Sequence, residues 1–185
     1  MAVHVDALLP LRPISVVDMD AMVKAGILAE DDRVELLEGA LVEISPQSEA
    51  HSYAVRRLLA LAVPAAAAAG LEVLVQGPLA LPSAISRPEP DLAIVPPAPR
   101  DRHASEALLV VEIGISSRGI DLGPKAAIYA AAGVPDYWVL DVEGRAIVVH
   151  RAPGPGGYDQ VERFADDASV TALAVGLTVP VASLL

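Results

Sequence analysis

The sequence contains no cysteine, which excludes disulfide bonds and any zinc site built from thiolates. Aromatic side chains make up only 3% of the residues, so the core must consist of aliphatic side chains, with strands rich in branched residues. Hydrophobic residues make up 54% of the 185 positions, which is enough for one sizeable core. We therefore expect residues 1–185 to form a single domain.

Long hydrophobic runs are also missing. No stretch approaches the roughly 18 continuous apolar residues that a membrane helix needs, and the alanine-rich run after Pro64 ends at Gly70. The segment from Met1 to Pro10 lacks the basic leader, apolar stretch and cleavage site of a secretion signal. These features predict a cytoplasmic protein that does not enter membranes.

Basic side chains are scarce. Thirteen Lys and Arg residues oppose 24 Asp and Glu residues, giving a net charge of −11. Tight nonspecific binding to nucleic acid depends on Lys and Arg neutralising phosphates, so this balance disfavours it. Carboxylates that surround a divalent cation would add to the negative count, and the bound cation would reverse the local field.

The N-terminal part of the chain is predicted to contain a helix capped by Ser15 and stopped at Gly26, and then a hairpin. The two hairpin strands, 33–37 and 41–44, flank a break that contains Gly39. Apolar residues at helical spacing after Ser48 predict a long helix, which we expect to kink or restart at Pro64.

The rest of the chain alternates strand and helix patterns. Strands are predicted at 71–75, 79–81 (weaker), 91–95, 107–113, 136–140, 146–150 and 158–164, with a helix at 121–132. The central order of helix, three strands, helix and strand predicts a mixed α/β sheet flanked by helices. The N-terminal helix and hairpin and the C-terminal strands decorate this core.

Glu112 interrupts the most apolar strand of the chain, where an isolated carboxylate costs several kcal/mol unless it is paired or bound to a metal. Asp91 opens an earlier strand, and if the two strands are neighbours their carboxylates converge at one end of the sheet. Paired carboxylate oxygens suit Mg²⁺ or Mn²⁺, so Asp91 and Glu112 are the predicted metal ligands.

Lys125 lies on the helix that returns over the Glu112 strand. A lysine beside a metal can orient water or stabilise the charge of a phosphate undergoing attack. Asp91, Glu112 and Lys125 together are therefore typical of phosphodiester hydrolysis.

Two longer segments make this interpretation more specific: Arg-Pro-Glu-Pro-Asp at 87–91 and Gly-Val-Pro-Asp-Tyr-Trp at 133–138. Two further motifs are Val-Val-Glu-Ile at 110–113 and the predicted helix that carries Asp121, Lys125 and Tyr129. With these motifs, the chain from about Ser15 to His150 resembles the Uma2 (DUF820) family of restriction-endonuclease-like proteins. That family is similar to the PD-(D/E)xK nuclease superfamily with its lysine moved to the helix. Gly114 occupies the usual position of the strand lysine.

The resemblance implies a restriction-endonuclease-like core and a Mg²⁺-dependent (or Mn²⁺-dependent) endonuclease. It implies that Asp91 and Glu112 bind metal, that Lys125 positions the attacking water, and that Glu35 and His51 belong to the catalytic site. DNA is the expected partner, weakly bound, and a homo-oligomer, most simply a dimer, is expected.

Other interpretations are compatible with the same residues. Glu112 and Lys125 could form a purely structural ion pair, in a catalytically silent domain that binds nucleic acid or protein. The chain could also be a structural oligomerisation module, because the aliphatic hairpin and C-terminal strands such as 146–150 could pair across subunits. Tyr129, Tyr137 and Trp138 are predicted mainly as packing residues, with Tyr129 placed one helical turn beyond Lys125 so that it lines the site.

Overall fold

A six-stranded sheet organises the protein. The computed structural model describes residues 11–29, 31–115 and 117–185. The helical elements are α1 (Val16–Lys24), α2 (Glu49–Ala68), α3 (Arg118–Ile120), a π-helical turn (Asp121–Lys125), α4 (Ala126–Ala131) and a 3-10 turn (Val181–Leu184). The strands are β1 (Val34–Leu37), β2 (Ala40–Glu43), β3 (Glu72–Val75), β4 (Leu92–Val95), β5 (Leu109–Gly114), β6 (Asp136–Asp141), β7 (Ala146–Gly154), β8 (Gly157–Ala165), β9 (Ser169–Thr171) and β10 (Thr178–Pro180).

The large sheet has the strand order β3-β4-β5-β6-β7-β8. Its neighbouring strands are antiparallel except β5 and β6, which are parallel. A parallel pair needs a crossover connection, and the segment containing α3, the π-helical turn and α4 provides it. The predicted mixed sheet with a helix between its central strands is therefore confirmed.

The two faces of the sheet bury two separate hydrophobic clusters. Strand β5 is buried along its whole length and contributes to both, as its apolar sequence predicts. Leu109, Val111 and Ile113 pack on the face covered by α2 and the C-terminal segment, whereas Val110 packs on the face covered by α4. Because side chains alternate along a strand, Glu112 shares the face of Val110 and therefore faces α4.

The N-terminal helix and hairpin form as predicted. Ser15 caps α1 through a capping box: its hydroxyl accepts from the amide of Asp18, and the Asp18 carboxylate accepts from the amide of Ser15. The β1–β2 turn requires glycine at position 39, where φ is 81° and a Cβ atom would collide with Pro13.

The predicted restart at Pro64 and the predicted strand at 79–81 are wrong. Helix α2 runs without a restart through Pro64, because Pro64 and Ala60 lie on the exposed side, where water can satisfy the carbonyl group that loses its amide donor. Residues 79–81 form no strand, although Leu79 and Leu81 are buried: they pack as an irregular segment against the α4 face.

The elements that follow β5 differ in their bounds from the predicted ones. The predicted helix 121–132 begins earlier, at Arg118, and contains the π-helical turn. Strand 146–150 is the first half of β7, which lies between β6 and β8. Both of its edges are occupied, so strand 146–150 itself is not available to pair across subunits.

Candidate active site

Asp91 and Glu112 lie side by side at the ends of neighbouring strands. Strands β4 and β5 pair with Leu92 opposite Val111, and one further step in this register places Asp91 opposite Glu112. The Asp91 carboxylate accepts a hydrogen bond of 2.8 Å from the backbone amide of Ile113, the residue after Glu112. The structure therefore brings together the two carboxylates that the sequence singles out.

Lys125 reaches the same point from the crossover. Its ammonium group lies 3.1 Å from Oε1 of Glu112 and 3.1 Å from Oε1 of Glu35, and 4.0 Å from Oδ1 of Asp121. The Lys125 side chain is only 7% exposed. A cation this buried is stable only among such partners, since removing it from water costs several kcal/mol.

The π-helical turn places Lys125 at this site. It spans Asp121–Lys125 and contains Pro124, whose missing amide would leave a regular helix one hydrogen bond short. Turns of this type insert one extra residue per turn and are frequent at functional sites. Two residues past Glu112 on the same strand face, Gly114 leaves room for this segment: a Cβ atom there would lie 3.2 Å from the Asp121 carboxylate and 3.3 Å from the backbone of Arg118.

The N-terminal hairpin supplies Glu35. Leu36 pairs with Arg87 through an isolated β-bridge, which fixes β1 against the segment that precedes Asp91. The Glu35 carboxylate is buried, and its Oε2 atom accepts a hydrogen bond of 3.2 Å from the amide of Glu89. Its other oxygen is the one that contacts Lys125.

His51 holds Asp91 from the opposite side. It lies in the first turn of α2, where Ser48 caps the helix by accepting from the His51 amide. Its Nε2 atom lies 2.9 Å from Oδ1 of Asp91, and among the described residues its buried Nδ1 atom has no hydrogen-bond partner. The two oxygens of Asp91 are thus held by His51 and by Ile113.

Tyr129 and Tyr137 close the floor of the site. The Tyr129 hydroxyl donates to Oε1 of Glu112 over 2.9 Å, and the Tyr137 hydroxyl donates to the backbone carbonyl of Asp121 over 2.9 Å. Both side chains are fully buried, with ring centroids 4.9 Å apart. They pack between helix and sheet as predicted, and Tyr129 also touches the central carboxylate.

Asp121 also belongs to this cluster, although the sequence does not predict it as a site residue. It is 1% exposed, its Oδ2 atom accepts from the Ser117 hydroxyl over 2.6 Å, and its buried Oδ1 atom has no hydrogen-bond partner within the described ranges. The signal that could have found it is its spacing, because a residue four positions before Lys125 on a helix lies on the same face.

The protonation of these groups reflects their burial. Burial raises the pKa of Glu112 well above its ordinary value, although the neighbouring Lys125 opposes the shift. Burial likewise raises the pKa of Asp121 to about 6. For Lys125, burial alone would lower the pKa, but Glu112, Glu35 and Asp121 outweigh it and raise the pKa above its ordinary value. Lys125 therefore stays positively charged at neutral pH.

These side chains surround a cavity of about 230 Å³ that opens to solvent. His51 is one titratable group in its lining. The charged groups are six carboxylates and one lysine: Glu35, Glu43, Glu89, Asp91, Glu112, Asp121 and Lys125. Six acids against one base give the cavity a strongly negative potential, which attracts cations. Ser48, the residue that caps α2, also lines the cavity.

The donor set fits Mg²⁺ or Mn²⁺ if water completes the coordination. Within residues 11–29, 31–115 and 117–185, no three His, Asp or Glu side chains are arranged so that they could hold a metal ion by themselves. Mg²⁺ is commonly bound through one or two carboxylates, with the remaining positions taken by water and substrate phosphate. Among the described residues, both side-chain contacts of Glu112 use Oε1, which leaves its Oε2 atom for a cation beside Asp91.

The sheet with its helical crossover, together with the carboxylates at its strand ends, defines a nuclease-like α/β fold. The chain belongs to the Uma2 family, described as "Putative restriction endonuclease", whose model matches residues 19–182. The resemblance noted in the sequence is thereby confirmed.

A solved structure agrees on the fold. The crystal structure of "a putative nuclease belonging to DUF820" from Anabaena variabilis matches with a TM-score of 0.72 and 15% sequence identity, covering 93% of this chain and 97% of that chain. No curated protein matches the chain. In the part of the chain that the structure describes, none of the helices has the length and hydropathy required to cross a bilayer.

Proposed function

We propose that this protein is a metal-dependent endonuclease that hydrolyses phosphodiester bonds in DNA. The observation that carries the proposal is the meeting of Asp91, Glu112 and Lys125 at one cavity, although they come from two strands and a crossover helix. A bound Mg²⁺ or Mn²⁺ would polarise the scissile phosphate and lower the pKa of a coordinated water.

Asp91 and Glu112 are the proposed ligands of that cation. His51 and the Ile113 amide fix both oxygens of Asp91, so the carboxylate is oriented before a cation arrives. Such outer partners of a ligand commonly set its orientation and basicity. Because Nε2 of His51 is engaged with Asp91 and Nδ1 is buried, we assign His51 to positioning Asp91 and not to proton abstraction.

Lys125 is the proposed electrostatic group. An ammonium has three N–H donors, and the contacts with Glu35 and Glu112 use two of them, so one remains for water or a phosphate oxygen. Since its raised pKa keeps Lys125 charged, it acts by holding water and offsetting negative charge on the phosphoryl oxygens, not as a base. Glu35 assists by holding the Lys125 ammonium in place.

The test is a cleavage assay on supercoiled plasmid and on single-stranded, double-stranded and branched DNA. Wild-type protein should cut at least one of these with millimolar-scale Mg²⁺ or Mn²⁺ and should not cut in EDTA. The Asp91→Asn variant should be inactive with every metal, while Asp101→Asn, in the exposed loop between β4 and β5, serves as the matched control. If wild-type protein cleaves none of these DNAs, the proposed function fails.

A second candidate is a catalytically silent binding domain of the same fold. Its support is that Lys125 already pairs with Glu35 and Glu112, and that Tyr129 donates to Glu112, so these groups need no metal ion to be stable. Calorimetric titration with Mn²⁺ separates the two: the endonuclease proposal requires saturable binding that Glu112→Gln abolishes, and the silent domain predicts no binding.

A further inference from the structure

The outer edge of the sheet at β8 is open and long. Among the described residues, strand β8 (Gly157–Ala165) pairs only with β7, and its central residues 159–163 are exposed. Val161, at the middle of the strand, is 55% exposed. The other edge strand, β3, has only four residues.

Open edges of this kind are templates for pairing with another strand. Proteins that avoid it commonly place proline or lysine on the edge, and β8 contains neither. The edge therefore lacks two of the usual obstacles to association.

The sequence of β8 is complementary to itself. When two copies of a strand pair antiparallel about a two-fold axis, one residue must face its own copy, and its neighbours pair outward from it. With Val161 at the centre, Asp159 faces the partner's Arg163 and Arg163 faces the partner's Asp159. Gln160 faces the partner's Glu162, and the two exposed valines meet on the axis.

The other possible centres are less favourable. Centring on Asp159, Glu162 or Arg163 places like charges directly opposite each other, which destabilises a strand pair. Centring on Gln160 forms no ion pair and sets Tyr158 against the partner's Glu162. Only the register centred on Val161 gains two symmetric ion pairs.

We infer that β8 is the interface of a homodimer, in which a second copy of this chain adds its own β8 antiparallel in the register centred on Val161. The two six-stranded sheets then become one continuous sheet. Arg163 donates to the Gly144 carbonyl within its own chain and still has donors for a carboxylate across the interface. No residue of β8 lines the cavity of the candidate active site, so both cavities stay open.

Charge exchange tests both the interface and its register. Sedimentation equilibrium of the wild-type protein should give a dimer. Asp159→Arg alone and Arg163→Asp alone each place two like-charged pairs across the axis and should weaken the dimer about tenfold or more. The double variant Asp159→Arg with Arg163→Asp restores opposite charges and should dimerise as the wild type does. Asp101→Arg, in an exposed loop, makes the same change of net charge as Asp159→Arg and should leave the dimer intact.

A crosslinking experiment reads the register directly, since the chain has no native cysteine. Val161→Cys should be joined to its own copy rapidly by a short bismaleimide, whereas Leu173→Cys, exposed to 60% but outside β8, should not. A monomeric wild type, or a dimer unchanged by both single charge variants, would overturn the interface. Failure of the double variant to restore the dimer, with circular dichroism showing it folded, would overturn the register.

Discussion

The ammonium of Lys125 and the carboxylate of Glu112 lie 3.1 Å apart, each nearly inaccessible to solvent. The two residues belong to a strand and to the crossover helix that follows it, so the contact exists only because the crossover returns over the face of β5 that carries Glu112. Both the proposed chemistry and the internal stability of the site depend on this contact.

Lys125→Ala should lower DNA cleavage by about 100-fold or more while leaving divalent-metal binding roughly intact, because it removes one preorganised electrostatic group and no metal ligand. Rates are to be measured under single-turnover conditions below the melting temperature of the variant, since Glu35 and Glu112 lose a buried partner. Lys24→Ala, at the exposed end of α1, is the matched control. Equal cleavage by wild type and Lys125→Ala would refute this role.

Glu112→Gln should abolish metal binding but leave the melting temperature of the metal-free protein unchanged or raised. The glutamine oxygen can still accept from Lys125 and Tyr129, and the substitution removes repulsion from Asp91, Asp121 and Glu35. Thermal unfolding in EDTA and calorimetry with Mn²⁺ measure the two effects. A drop of many degrees would indicate that Glu112 is primarily half of a structural ion pair.

The metal-free protein should lose stability as the pH rises through about 6, because burial raises the pKa of Asp121 to about 6 from 3.8. The folded state then binds the proton more tightly than the unfolded state, so this stabilisation is complete below about pH 3.8 and is lost above pH 6. At 1.36 kcal/mol per pKa unit, the titration of Asp121 changes the free energy of unfolding by up to about 3 kcal/mol.

Asp121→Asn tests this dependence, because the amide cannot ionise and its oxygen can still accept from Ser117. In urea unfolding with EDTA, the variant should be more stable than wild type at pH 8, and the difference should shrink steadily below pH 6 and vanish only below about pH 3.8. Parallel pH profiles for the two proteins would show that Asp121 is not the titrating group.

His51→Ala should weaken Mn²⁺ binding by about 10-fold to 100-fold, the range typical of losing a residue that orients a metal ligand. Its Nε2 atom contacts Asp91 at 2.9 Å, and without it the carboxylate is free to rotate. His51→Gln, which keeps a donor near the same position, should recover part of the affinity, and His103→Ala, at an exposed loop position, should have no effect. Unchanged Mn²⁺ affinity in His51→Ala would exclude the positioning role.

The sequence predicts much of the site because strong constraints act on individual residues. Glu112 is conspicuous in a strand that is otherwise apolar, and a buried carboxylate requires partners. Asp91 follows from the expectation that β4 and β5 are neighbours, and Lys125 follows from the crossover that a parallel pair of strands needs.

The parts that the sequence does not predict depend on tertiary geometry. Hydrophobic periodicity cannot distinguish an α-helix from a helix with a π-helical turn, so the start of this helical segment at Arg118 was not predictable. A proline predicts a break in a helix, because the carbonyl group four residues earlier loses its amide donor. The helix continues through Pro64 because that carbonyl group lies on the solvent-exposed side, which the sequence does not show. Strand order decides that β8, and not β7, is an edge, and strand order is a property of the whole sheet.

The enclosure of Lys125 gives the protein a chemical reporter of its own. Lys24 and Lys125 are the only lysines in the sequence, and Lys24 lies on the surface. An amine-reactive reagent needs an accessible, uncharged amine, so at neutral pH it should modify Lys24 and spare Lys125, which is both buried and held in the charged form by its raised pKa. The ratio of modification at these two positions, measured by mass spectrometry of the peptides, therefore reports how often Lys125 separates from its carboxylate partners and becomes accessible in solution.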